Sequence, residues 1–390
     1  MVKLGEVCDF YAGTVFPNEY QGKVTGKYPF YKVGDISKNV LEGNRELKTC
    51  ANYVEEDVVQ KLKGSILPPK TIVFAKIGEA LKLNRRAITS CECLVDNNVM
   101  GIKAQNVRLN DEYLFYWLQN LNLSNYSEST TVPSVKKSRL QNIEINVSPL
   151  EEQEKVVSTL NRLSSLILAR KKQLSKLDEL VKARFVEMFG DDIYPKVKVS
   201  RVCDFITKGT TPPNNLISEK YSSDKVPYLK VYNLSFTGKL LFDTAPQYVP
   251  ENIHNGVLAR SKVYPNDVLM NIVGPPLGKF ALVTNEFSEW NINQAIAIFR
   301  AKEKVNPKYL LFALMQPEVL KPFLRQAVGI RQLNLSLAQC RDLEIPLPPL
   351  SLQSEFAAFV EQVDQQKQTV QQSLEKLELM KKALMQEYFG

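Results

Sequence analysis

Two stretches of this chain place apolar side chains at alternating steps of four and three. The first runs Val156, Leu160, Leu163, Ile167, Arg170, Leu174, Leu177, Val181, Arg184, Met188; the second runs Phe356, Val360, Val363, Lys367, Val370, Leu374, Leu377, Lys381, Leu384, Tyr388. Such spacing keeps one stripe on one side of an α-helix and is the pattern of a coiled-coil seam. Two long helices are therefore predicted. Ser148, Pro149 and Glu151 read as N-cap, first helical residue and capping-box partner of the first, with Gly190 as its stop. In the second, Pro348 stands where the cap serine would be, which moves the expected start to Ser351. About 40 residues rising ~1.5 Å each make a rod of roughly 60 Å.

The two stretches are copies. At an offset of 200 residues, Pro149/Pro349, Leu150/Leu350, Gln153/Gln353, Leu174/Leu374, Leu177/Leu377, Lys182/Lys382, Glu187/Glu387, Phe189/Phe389 and Gly190/Gly390 coincide without a gap. Upstream, "VKLGEVCDF" from Val2 recurs as "VKVSRVCDF" from Val197, and "YPFYKVGDIS" from Tyr28 as "VPYLKVYNLS" from Val226. The whole chain is a tandem duplication of a globule followed by a helix. The expected boundaries are a first globule at 1–146, a helix at 147–190, a second globule at 191–346 and a second helix at 347–390.

An isolated helix with one apolar stripe exposes that stripe to water, and each copy offers the other a matching one. The expected seam sets Val156, Leu160, Leu163, Leu174 and Leu177 against Phe356, Val360, Val363, Leu374 and Leu377. Twofold pseudo-symmetry between the halves favours an antiparallel pair. Packing of each helix on its own globule, or dimerisation of the chain through the helices, are the alternatives.

Each globule alternates Val, Ile, Tyr and Phe with Gly, Pro and Asn, and carries one plausible helix, "NDEYLFYWLQNL" or "NPKYLLFALMQ". The fold class is α+β: a duplicated mixed domain, each copy followed by a long helix, the helices pairing as an antiparallel coiled coil. Polar and basic clusters recur at matching places. Lys32, Asp35 and Lys38 stand beside Lys230, Tyr232 and Asn233; Asn84, Arg85 and Arg86 follow Gly78 as Lys279 follows Gly274; Lys136 in "STTVPSVKKSR" stands beside Arg331 in "GIRQLNLS". Isolated clusters of this kind are solvated loops more often than sites. Their recurrence makes them candidates for contacts to base edges and phosphates.

Charge sharpens this. Net charge is +8, the sign a nucleic-acid partner requires. Residues 147–190 hold eight basic and six acidic side chains and residues 347–390 hold four and six, so the helices sum to zero. The whole excess belongs to the globules. The chain's 390 residues, 44% of them hydrophobic, suffice for two or three ordinary cores. Six cysteines without a CxxC pair, and a start that runs from Met1 straight into "VKLGEVCDF", lead us to expect reduced thiols in a cytoplasmic protein with no secretory leader. No apolar run approaches the roughly 20 residues of a membrane span.

Catalysis is poorly provided for. His254 is the one histidine, so His-based triads and His-ligated zinc lack partners. "NIVGPPLGK" fails as a methyltransferase Pro-Pro-aromatic motif because Leu277 follows the prolines. It also fails as a phosphate loop, with three residues between Gly274 and Gly278 and Phe280 after Lys279. Asp35, Asp96, Asp204 and Asp267 are scattered along the sequence where a nuclease would cluster its carboxylates. No catalytic residue, metal or cofactor is expected.

"IEINVSPLEEQ" and "LEIPLPPLSLQ", each followed by a heptad helix ending "EMFG" or "EYFG" and preceded by a divergent domain, resemble the DNA-specificity subunit of type I restriction-modification systems. The resemblance covers the entire chain. It implies that each globule reads one half of an interrupted target in double-stranded DNA. The helices would then fix the half-site spacing and dock two modification (methyltransferase) subunits, with restriction subunits joining through the assembled complex. Target domains of that family diverge, so no base-reading residue is carried over. A coiled-coil scaffold that binds only protein is the competing function.

Overall fold

The structure, a computed structural model, describes residues 1–128, 132–190, 193–327 and 333–390. The chain divides into two compact units, Met1–Lys172 with Gln371–Gly390, and Gln173–Val370. Each unit thus holds one globule, part of the helix that follows it and part of the other helix.

In the first unit, four antiparallel strands lie in the order Cys8–Ala12, Val99–Ala104, Ile72–Ala75, Arg86–Ile88. A second sheet orders Tyr53–Val54, Tyr28–Tyr31 and Leu94–Val95, its last pair parallel. A short ribbon pairs Val2–Lys3 with Glu144–Ile145, closing the globule where the long helix begins. The second unit repeats this plan with one more strand in its second sheet. Its main sheet runs Cys203–Lys208, Ile296–Ala301, Val268–Asn271, Phe280–Leu282; its second runs Tyr248–Pro250, Lys225–Leu229, Trp290–Ile292, Lys262–Val263; its ribbon pairs Lys196–Lys198 with Glu344–Pro346. The duplication legible in a few motifs therefore extends to strand order and pairing sense. All-buried strands such as Ile72–Ala75 and Val268–Asn271 read as continuous apolar runs because both faces are covered.

The long helices run Leu150–Phe189 and Leu350–Phe389. Both begin at the equivalent residue, which corrects the expected start at Ser351, and Pro149, expected as first helical residue, lies just outside. The anchor at each start is a glutamine. Gln153, fully buried, accepts from the Asn110 N–H at 2.8 Å and donates to the carbonyls of Arg108 at 2.9 Å and Ser148 at 2.7 Å. Gln353, equally buried, accepts from the Asn306 N–H at 2.9 Å and donates to the Pro348 carbonyl at 2.8 Å. Asn110 and Asn306 in turn cap the helices Asp111–Asn120 and Pro307–Leu314, so one amide welds a long helix to its globule. Among the described residues each globule holds more helices than the single one expected: Val33–Leu41, Glu56–Leu62 and Lys137–Gln141 in the first, Pro317–Leu324 and Leu337–Asp342 in the second.

Within each unit the two helical segments run antiparallel. In the first, Leu160 and Met385 share a core, and Lys171 pairs with Glu378 at 2.8 Å. In the second, Asp178 pairs with Lys367 at 2.6 Å and Arg184 with Glu355 at 3.1 Å, while Phe185 meets Phe356 edge to face. In both, the second number falls as the first rises. Leu160, Leu163, Phe356, Val360, Val363 and Leu374 are buried, and Val156, Leu174, Leu177 and Leu377 half-buried. The seam also recruits Val181, Phe185 and Phe189 to the second core and Met385 to the first, because the helix ends wrap onto the globules. Seam pairing and packing on the globule, posed as alternatives, both occur.

Candidate nucleic-acid interface

Two of the three recurring clusters are joined in each globule by the same backbone pairing. In the first, Ile77 bridges to Ser134, and the Gly78 N–H donates to the Pro133 carbonyl at 2.8 Å. In the second, Val273 bridges to Asn334, and the Gly274 N–H donates to Leu333 at 2.9 Å. Gly78 and Gly274 have φ of 75° and 94°, the left-handed region in which glycine avoids a Cβ clash. The third cluster closes in from the side. The helix Val33–Leu41 packs beside strand Arg86–Ile88, and Ser235 pairs with Phe280.

Several candidate side chains are turned to the fold's own backbone. The Asp35 carboxylate accepts from the Lys32 N–H at 2.8 Å, and the Asn233 amide oxygen accepts from the Lys230 N–H at 2.9 Å. These are matching caps on matching turns, and Asn233 is buried. Asn84, at φ 53°, donates to the Leu121 carbonyl and accepts from the Arg86 guanidinium at 2.8 Å. Arg86 is buried, donates to the Asn84 and Leu121 carbonyls, and has no carboxylate partner among the described residues. Burial brings its pKa down to about 9.

The remaining candidates face outward. Lys38 and Lys136 are exposed and Arg85, Lys32, Lys230 and Lys279 half-exposed. Lys136 pairs with Glu128 at 2.6 Å across an open surface, and such pairs hold weakly. Lys32 donates to Gln21 and lies over the Phe16 ring. Tyr232 is 42% exposed. Arg331 lies outside the described residues, as do the first three residues of "STTVPSVKKSR" and the first half of "GIRQLNLS".

The groups that most resemble chemistry are structural. His254 is wholly buried, with its ring nitrogens against Asn291 and Glu289. The six cysteines are free, four of them buried. Burial, chiefly, pushes Cys8, Cys203 and Cys340 up to about 12, which keeps them protonated thiols without nucleophilic character. No helix among the described residues is long and apolar enough to cross a membrane.

Two tandem mixed domains, each with a basic loop surface and tied to a long helix, define a duplicated recognition module. The chain belongs to the family of type I restriction modification DNA specificity domains, whose pattern matches twice, over residues 1–179 and 194–379. It is 23% identical over 413 aligned residues to the MjaVIII specificity subunit of Methanocaldococcus jannaschii, covering 99% of this chain and 90% of that one. To the EcoBI specificity subunit of Escherichia coli it is 22% identical over 359 residues, covering 84% and 72%. The S subunit of a type I system from M. genitalium shares the fold with a TM-score of 0.55 at 15% identity, over 100% of this chain and 95% of that one. A chain from a type I system studied for complex assembly and conformational transition gives 0.59 at 19% identity, over 100% and 96%. A scaffold without DNA reading is not favoured for a family defined by DNA specificity domains.

Proposed function

We propose that this chain is the specificity subunit of a type I restriction-modification complex, a cytoplasmic protein without catalysis of its own. Residues 1–146 and 191–346 each read one half of an interrupted target in double-stranded DNA. The observation that carries this is the double family match laid over a duplicated sheet plan: two like modules on one chain suit a target with two parts. Lys32, Lys38, Arg85, Lys136, Lys230, Tyr232 and Lys279 contact the DNA, while Asp35, Asn84, Arg86 and Asn233 shape the loops that present them. The long helices set the half-site spacing, and two modification subunits dock on them, with restriction subunits joining the assembled complex. Apolar side chains left open on the helices, among them Leu168 and Leu379 in the first unit and Leu180 and Val186 in the second, support a protein partner there.

The test is direct. The chain is co-purified with its modification subunits, its mass measured, and its binding to duplex DNA followed as salt is varied. A two-to-one assembly that binds duplex with affinity falling as salt rises is expected. An assembly that binds protein but no duplex would instead establish the scaffold.

A further inference from the structure

We propose that the two globules grip DNA by different chemistry, the first through lysines on the phosphate backbone and the second through exposed aromatic side chains on base edges and sugars. This rests on the DNA-reading function above. Because the loop frame is the same in both units, positions can be matched residue by residue. Lys76 precedes Ile77 and Gly78 where Ile272 precedes Val273 and Gly274; Lys136 and Lys137 follow Val135 where Ser336 and Leu337 follow Leu335. In the first unit these three lysines line one cleft of about 320 Å³ together with Tyr11 and Met100. The Lys76 carbonyl takes the Val135 N–H at 2.9 Å, fixing the backbone from which the side chain extends. In the second unit Ile272 is 2% exposed, and Ser336 and Leu337 stand where the other two lysines would be.

The exchange also runs the other way. In the aligned motifs Gly34 and Lys38 of the first unit stand where the second has Tyr232 and Phe236, with Lys38 on the helix Val33–Leu41 and Phe236 on a turn beyond Asn233. A Cβ at Gly34 would meet nothing within 4 Å, so there is room for a side chain that the first globule does without. Phe236 is 53% exposed, and the Ser235–Phe280 pairing holds it beside Lys279, whose ammonium lies 5.8 Å from the ring centroid. Phe236, an open ring beside a cation, and the half-exposed Tyr232 offer apolar surface on which base edges such as a thymine methyl rest in a duplex groove. Bulk charge does not produce the contrast: residues 1–146 hold nineteen basic and sixteen acidic side chains, residues 191–346 nineteen and fourteen. What differs is placement around the shared loop.

Lysines on phosphates release counterions and aromatic contacts do not, so the two surfaces differ in salt response. The complex of this chain with its modification subunits is titrated, over a salt series, with a duplex that the wild-type complex enriches from a random pool. Substituting Lys76→Ala, Lys136→Ala and Lys137→Ala together should lower the slope of log affinity against log salt by about 2–3, and the three Lys→Arg changes should restore it. Tyr232→Ala with Phe236→Ala should remove contacts to base edges and weaken binding about 10- to 100-fold at every salt concentration, leaving the slope in place. Tyr232→Phe should bind nearly as wild type, which separates lost contact from a damaged fold. Equal slope changes in both sets, or wild-type binding in both, would overturn the division of chemistry alone. A wild-type complex that enriches no duplex would overturn the DNA-reading function and this division with it.

Discussion

Replacing Gln153 with alanine tests how each long helix is fixed to its globule. The side chain is fully buried and makes three hydrogen bonds to backbone groups, the Asn110 N–H and the Arg108 and Ser148 carbonyls. Truncation strands all three and opens a void. A buried polar group left without its partner costs about 1–3 kcal/mol, but these groups lie near the surface, and water entering the void recovers part of the cost. We expect a loss of roughly 2–4 kcal/mol, a large fraction of the ~5–15 kcal/mol that holds a typical domain. Gln153→Glu does not rescue, because it keeps the acceptor and turns a carboxylate oxygen toward two carbonyls. Urea denaturation gives the size, and hydrogen exchange gives the place: protection should fall at Asn110 and along Asp111–Asn120. Gln353→Ala should do the same along Pro307–Leu314 in the other unit. A loss under ~1 kcal/mol, or exchange spread evenly over both units, would refute the anchoring role.

Other consequences are separable. Leu160→Ala, at a fully buried seam position, should cost about 2–5 kcal/mol in thermal or urea unfolding. Asp267 is buried and takes two bonds from Arg300, at 2.8 and 2.7 Å, so Asp267→Ala should cost about 3 kcal/mol by the same measurement. In native protein a thiol reagent should label exposed Cys91 fast and buried Cys8, Cys93, Cys203 and Cys340 only on unfolding. Because burial raises the pKa of Cys8, Cys203 and Cys340 from 9 to about 12, their contribution to stability is complete below pH 9 and is lost as pH climbs toward 12. Urea midpoints measured across that range check the sign.

The duplication and the two helices were legible in sequence because a gapless repeat and a 4-3 apolar step are local, periodic signals. The antiparallel sense followed from symmetry. What sequence could not give was the partner of a polar side chain. Gln153 and Gln353 stood among the matched positions, yet an amide in a polar run looks solvated until the buried helix cap it reaches is known. Asn84 and Arg86 read as outward-facing because they follow a glycine in a polar stretch, whereas the left-handed turn at Asn84 carries both inward to the Leu121 carbonyl. Short helices such as Val33–Leu41 lack enough apolar turns to signal themselves. The second helix starts at Leu350 without a cap serine because the buried glutamine amide does that anchoring. Lys76 and Phe236 lie outside the recurring polar clusters, and the shared bridge after Lys76 and Ile272 is what shows that one position is charged in one half and apolar in the other.

Independent reading by two globules is most directly tested by exchanging residues 1–146 for the matching domain of a relative and mapping methylated sites made by the hybrid complex. The account predicts a target with one half replaced and the other half and the spacing unchanged. A hybrid whose two halves change together, or whose target does not change at all, would contradict it.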